Sequence, residues 1–239
     1  YLRCQDAFAV VAKQTMPLRI EERSQVISML GVNPHNVRFV ADLCVVIRYP
    51  AKLDICPCEP HDTCLQKELN RILDLHEEHI NVRNNVGLFD VSHMGQFFLK
   101  GPESLDLIQK VSSNNASKLV VGQAQYSCFP NKNGGIVDDF LTYKISEEEY
   151  MLVVNASNIE KDLKWINEAN TYDCTITDKS DGMALLALQG PKASEVLSKL
   201  TDIKVDQIPY YYFAIGEVCG LKNVIVSATG YTGSGGFEL

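Results

Sequence analysis

The sequence predicts an α+β fold built on antiparallel sheet, with a split β-α-β (ferredoxin-like) subdomain at its centre. Two observations carry that expectation. From Met94 onward the chain runs strand, helix, two or three hairpin-linked strands, helix, strand. Within that succession Val137–Lys144 pairs naturally with Tyr150–Asn155 across a short turn-like connection.

The elements follow in order. Residues 1–75 are the least regular part, with a short helix expected over Glu21–Leu30 and a strand over Val37–Tyr49. Cys56-Pro-Cys58-Glu-Pro-His61-Asp-Thr-Cys64 gathers three thiols and an imidazole, the ligand types zinc takes. Its spacing is tighter than that of usual structural sites. We read it as a proline-rich loop with unpaired thiols and assign no metal. Asp62 or Thr63 then caps a helix that aligns Leu65, Leu69, Ile72, Leu73 and Ile80 on one face.

Near Glu77 the texture changes. Met94–Lys100 reads as strand, Glu103–Val111 as helix, and Gln123–Pro130, Val137–Lys144 and Tyr150–Asn155 as successive strands. Ser157–Asn167 reads as a helix with Ile159, Leu163 and Ile166 inward, Met183–Gln189 as a buried strand and Pro191–Leu200 as a further helix. Phe213–Cys219 and Val224–Ala228 are β again. Two domains are therefore expected, an unassigned region over 1–75 and a folded domain over 76–239.

Composition narrows the function classes. The chain has 239 residues and a net charge of −8, with no basic stripe of the kind that nucleic acid requires. Residues 1–75 are neutral, with 9 Lys/Arg against 9 Asp/Glu, so the acidity belongs to the remainder. No apolar run has the roughly 20 residues of a membrane helix, so neither a nucleic acid nor a membrane is an expected partner. Cysteines scattered singly after residue 64 fit a reducing compartment.

One stretch stands against local propensity. Asn131-Lys-Asn-Gly-Gly-Ile-Val-Asp-Asp-Phe140 carries two adjacent acids, Asp138 and Asp139, into a β-forming run. Strand alternation puts Asp139, Leu141 and Tyr143 on one face and turns Asp138 to the other, as a supporting or turn residue. Val153 and Asn155 share a face of the neighbouring strand. The loop Gly230–Glu238 lacks the lysine of a phosphate-binding loop and reads as a hairpin turn whose glycines take φ > 0. His93 has no Cys or Ser partner at an interpretable spacing and reads as structural. The aromatic cluster Tyr210–Phe213 fits either packing or a sandwich around a planar ring.

Five segments in order, Gly87-Leu-Phe-Asp-Val-Ser-His-Met-Gly95, Gly134-Gly-Ile-Val-Asp-Asp139, Leu152-Val-Val-Asn-Ala-Ser-Asn158, Leu188-Gln-Gly-Pro191 and Gly230-Tyr-Thr-Gly-Ser-Gly-Gly-Phe-Glu238, closely resemble the aminomethyltransferase (T-protein) family of the glycine cleavage system. The likeness covers Glu77–Leu239. It implies a folate-binding domain, tetrahydrofolate as co-substrate without a metal, and the lipoylated H-protein as partner. The implied reaction moves an aminomethyl carbon from the lipoyl arm to tetrahydrofolate and releases ammonia, in glycine catabolism. The implied compartment is bacterial cytoplasm or mitochondrial matrix.

The resemblance also implies site residues. Asp139 matches the family's functional acid beside the reacting nitrogens of the folate. Leu141, Tyr143 and Val153 match cleft-lining positions, and Asn155 a pterin-contacting amide. Met94, Tyr126, Tyr210 and Tyr231 match apolar or aromatic positions around the pterin and aminobenzoyl rings. Glu238 matches the carboxylate that grips the pterin edge, whose two parallel N–H donors a buried carboxylate accepts as it would a guanidinium. Some features depart from the family. Residues 1–75 lack its opening Phe-Ala-Gly-Trp type motif, Ser234-Gly235 stands where an acidic pair is commoner, and the chain stops just after Glu238, so a C-terminally truncated domain is expected. Two alternatives share the fold: a non-catalytic folate-binding factor, and the folate domain of a sarcosine or dimethylglycine oxidising enzyme.

Overall fold

The computed structural model describes residues 75–239. The helix expected over Glu21–Leu30, the strand over Val37–Tyr49, the Cys56–Cys64 loop and the apolar positions Leu65–Leu73 lie outside the described residues. A helix over 75–84, α1, opens the described part. Its inward positions follow Val82 at helical spacing, and Ile80, expected on the apolar face, is instead 42% exposed. Ile80 sits two residues from Val82, which is about 200° around a helix and therefore on its far side.

Ten strands follow: β1 (Gly87–Asp90), β2 (Gly95–Lys100), β3 (Ala124–Pro130), β4 (Ile136–Ser146), β5 (Glu149–Val154), β6 (Thr175–Asp178), β7 (Leu186–Gln189), β8 (Phe213–Val218), β9 (Leu221–Ser227) and β10 (Gly236–Glu238). Helices α2 (Ser104–Val111) and α3 (Ile159–Ala169) lie between β2 and β3 and between β5 and β6, and α4 (Ala193–Leu197) follows β7. The strands form two antiparallel sheets, ordered β3-β4-β5-β2-β6 and β1-β7-β10-β9-β8. Setting aside edge strand β3, the order β4-β5-β2-β6 with α2 and α3 is the split β-α-β arrangement that the sequence predicts.

Three apolar layers hold these parts together. Alternation on β4 and β5 sends Phe140, Tyr150, Leu152 and Val154 toward α2 and α3, where they meet Leu107, Ile108 and Ile166. The opposite face sends Leu141, Tyr143, Met151 and Val153 into a second layer with Tyr211 and with Phe213 and Ile225 of the other sheet. The third layer covers the far side of that sheet, with Leu188, Val226 and Phe237 against Leu197 of α4. The molecule is thus helix, sheet, sheet, helix in section, and Asp139 belongs to the strand face between the sheets.

Some boundaries differ from expectation for clear reasons. β7 begins at Leu186 rather than Met183, because its partner β1 supplies only four residues, Asp90 pairing with Leu186 and Gly87 with Gln189. Helix α4 is shorter than Pro191–Leu200, since Gly190 at φ 131° and Pro191 form its entry. The two sheets also touch through backbone. Ala124 N donates to Tyr211 O and Phe213 N to Gly122 O, each at 2.8 Å.

Candidate functional site

The turn that delivers the paired acids is set by one side chain. Asn131 Oδ1 accepts from the backbone N–H groups of Asn133 at 2.9 Å and Gly135 at 3.0 Å. Asn131 N donates to Gly135 O at 2.8 Å, and Gly134 takes φ 78°. Such an Asn-anchored turn fixes where β4 starts, and hence which face each acid takes.

Asp139 sits in a built environment. The Tyr126 hydroxyl donates to Asp139 Oδ2 at 2.5 Å, and Asn155 Nδ2 donates to Asp139 Oδ1 at 2.6 Å. The same amide nitrogen lies 3.2 Å from Asp139 O and 3.0 Å from Asp138 Oδ1. Tyr126 comes from β3 and Asn155 from the end of β5, so three adjacent strands converge on one carboxylate. The hydrogen bond to Asp139 is the chief cause that raises the Tyr126 phenol above its usual value, with some burial and the Asp139 charge adding to it. Tyr126 therefore stays a donor at physiological pH.

A second polar group lies further along the same face. The Tyr143 hydroxyl is 3.3 Å from Thr229 Oγ1, which donates to Glu238 Oε2 and lies 3.0 Å from Ser227 Oγ. Burial raises the Glu238 carboxyl above its ordinary value, and the Thr229 hydrogen bond opposes that rise. Burial raises the Tyr143 phenol, and the nearby Glu238 charge adds to it. Glu238 is held in the sheet by pairing with Ala187 of β7 and Ser227 of β9.

The remaining expected residues take varied positions. Val153 and Tyr143 are buried between the sheets, with Leu141 and Met94 packed against them. Tyr210 is 73% exposed and Tyr231 87% exposed, so neither ring is enclosed by the described chain. Tyr210 stacks edge-on against Tyr211 at 4.7 Å and forms one wall of a cavity of about 260 Å³. Thr229, Gly230, Gly233 and Gly235 form another wall of the same cavity. Tyr231 lies near Tyr126.

The glycine loop is shaped by backbone need. Gly230 has φ 156°, and a Cβ there would fall 2.0 Å from Gln189 Oε1. Buried Gln189 donates through Nε2 to Thr229 O and Phe237 O and accepts from Thr232 Oγ1, which ties the loop to both flanking strands. Arg83 of α1 donates to Thr232 O and Ser234 Oγ, each at 2.8 Å. These contacts occupy the loop with its own chain. His93 is lowered by burial, against the raising charge of Asp90. Among the described residues no group of three or more His, Cys, Asp or Glu side chains is arranged to hold a metal ion. None of the described helices is long and apolar enough to cross a membrane.

Sequence reading did not single out Thr229, Gln189 or Asp162. Thr229 and Gln189 act through contacts between distant segments, for which local pattern gives no signal. Asp162 did carry a signal. It lies four residues before Ile166, an inward position of α3, and that spacing puts an acid on the buried face.

Comparison with known proteins gives the family. The family described as the GCVT N-terminal domain matches residues 65–239. An aminomethyltransferase from Porphyromonas gingivalis is 60% identical over 163 residues, which is 68% of this chain and 45% of that protein. One from Flavobacterium psychrophilum is 63% identical over 162 residues, with the same coverage. The chain thus spans about half the length of the curated relatives it matches. A crystal structure of the glycine cleavage system aminomethyltransferase T from Bartonella henselae superposes with a TM-score of 0.62 at 30% identity, covering 68% of this chain and 43% of that one. Residues 65–239 make up most of the chain, and by that match the chain belongs to the GCVT N-terminal domain family.

Proposed function

We propose that this chain provides the folate-binding part of an aminomethyltransferase of the glycine cleavage system. Tetrahydrofolate is the co-substrate, the lipoylated H-protein is the partner, and the functional domain spans 76–239. Bacterial cytoplasm or the mitochondrial matrix is the compartment we assign. The observation that carries this reading is the Asp139 carboxylate held by Tyr126 and Asn155 on the strand face that also bears Tyr143, beside Thr229 and Glu238.

The chemistry asks little covalent work of the protein. N5 of tetrahydrofolate attacks the methylene of the aminomethyl-lipoyl adduct. The carbon ends bridging N5 and N10, and ammonia and the reduced lipoyl thiol depart. What remains for side chains is to orient the pterin and to manage protons at its nitrogens. Glu238 fits the orienting task, because a carboxylate accepts both donors of the pterin edge in parallel. Asp139 fits the second, since Tyr126 and Asn155 occupy one oxygen each and leave the remaining lone pairs for a substrate nitrogen.

The experiment is Asp139→Asn in a full-length protein carrying this domain. Transfer to tetrahydrofolate is expected to fall roughly 10²- to 10⁴-fold, the usual worth of a positioned acid or base. Tetrahydrofolate binding by calorimetry is expected to persist. Normal turnover in the variant would overturn the role of Asp139, and no saturable binding of tetrahydrofolate by the native protein would overturn the reading as a whole.

A further inference from the structure

Behind Asp139, on the opposite face of β4, lies an acid that the transfer chemistry does not use. Asp162, in the first turn of α3, is completely buried, and no donor in the described chain reaches either of its oxygens. Asp138 accepts from Asn155 through Oδ1, while its Oδ2 is buried and equally without a donor. The buried Asp162 carboxyl beside the buried Oδ2 of half-buried Asp138 disfavours a charge on both, because desolvation and mutual repulsion oppose it. One proton resolves both deficits, since an Asp162 O–H then donates to Asp138.

The charged groups facing Asp162 are few. Asp138 and Asp139 from β4 hold its proton on, and Lys161 of its own helix works against them. Lys161 Nζ is turned to Val137 O at 2.7 Å, so it does not lie on the pair. Burial is the largest cause, and together these push Asp162 up to about 8.

We propose that Asp138 and Asp162 share a single proton, and that this pair, linked to Asp139 through the Asn155 amide, is a positioning device for the functional carboxylate. The inference rests on the reading of Asp139 given above. Asn155 has two N–H bonds to distribute and three oxygens in reach, Asp138 Oδ1, Asp139 Oδ1 and Asp139 O. While the Asp162 proton satisfies the far side of Asp138, one amide N–H suffices for its near oxygen. The other N–H is then directed at Asp139. Loss of the shared proton leaves two adjacent anions, one of them fully buried, draws the amide toward Asp138, and releases its hold on Asp139. Asp162 is thus a positioning residue that acts through Asp138 and Asn155.

The test is a titration of this chain followed by carbon NMR of its aspartate carboxyl groups, without folate, alongside Asp162→Asn and Asp162→Leu. In the native chain the Asp138 and Asp162 signals are expected to move together in one step near the raised value, with the Asp139 signal moving in that same step. Asp162→Asn keeps a donor to Asp138 but has no proton to lose, so the step vanishes and the Asp139 signal stays in place. Asp162→Leu removes the donor, and the Asp139 signal is displaced at every pH. Separate titrations of Asp138 and Asp162 in the ordinary acid range would overturn the shared proton. An Asp139 signal that ignores the step would overturn the positioning role. Should a variant fail to fold, the native titration alone decides both points. Because no folate is present, failure of the folate reading leaves this result standing, and the reverse also holds.

Discussion

At the scale of single residues, the two carboxylates that we assign to the folate site live in different settings. Asp139 accepts from two donors, the Tyr126 hydroxyl and the Asn155 amide. Glu238 is half-buried with one hydroxyl donor, and its burial raises it against that hydrogen bond. Glu238→Gln removes the acceptor pair without changing volume. It is expected to weaken tetrahydrofolate binding by about 1.5–3 kcal/mol, the worth of hydrogen bonds to a charged group. The denaturation midpoint of the unliganded protein is expected to stay level or rise, because a partly buried charge is removed. Titration calorimetry and urea unfolding check the two halves. The alternation that put Asp139 and Tyr143 on one face was legible in the sequence, since a strand's period is fixed by its backbone. The Tyr126 bond to Asp139 was not, because it depends on the pairing of Cys128 with Asp139, which no local pattern sets.

At the scale of elements, legibility followed the apolar pattern, and four-residue β7 was read from its buried run while β1 and β6 of the same length were not. The long strands β4 and β5 show enough alternation to be read, whereas β1 and β6, four residues each, do not and were missed. Their strand character comes from the partners β7 and β2 that they pair with. The Gly230–Glu238 loop was readable as a glycine-dependent turn but not as the anchor for buried Gln189. Gly230→Ala would set a methyl carbon against the Gln189 amide in a backbone region L-residues avoid. Its cost is expected to be about 1–3 kcal/mol from backbone strain, with loss of the Gln189 contacts added. Guanidinium unfolding of the variant measures it. A change within a few tenths of a kcal/mol would show that the loop relaxes around the new methyl.

At the scale of the whole molecule, a buried acid leaves its mark on stability. Asp162 binds its proton more firmly in the folded chain, up to about 8, than in the unfolded one, where an aspartate titrates near ~3.9. Between those values the native state holds more protons, so its stability falls as pH rises. The contribution is fully present below the unfolded value and lost as pH passes the folded one. The limiting slope for one proton is about 1.4 kcal/mol per pH unit. Asp162→Asn is expected to flatten that decline, and urea midpoints measured across the range decide it. An unchanged slope would place the raised proton affinity elsewhere.

The backbone contacts between Gly122–Ala124 and Tyr211–Phe213 act like the spine of a book whose two boards are the sheets. Ala124 is the register partner of Tyr143, so the spine lies beside the end of the face where Tyr143 meets Thr229 and Glu238. Asp139 is paired with Cys128, four residues further along β3 and roughly 13 Å from the spine at strand rise. Any small rotation of one board against the other is therefore felt least at Glu238 and most at Asp139. On the proposed folate reading, a ligand held at Glu238 would keep its bearing under such a rotation, and its end at Asp139 would feel the displacement.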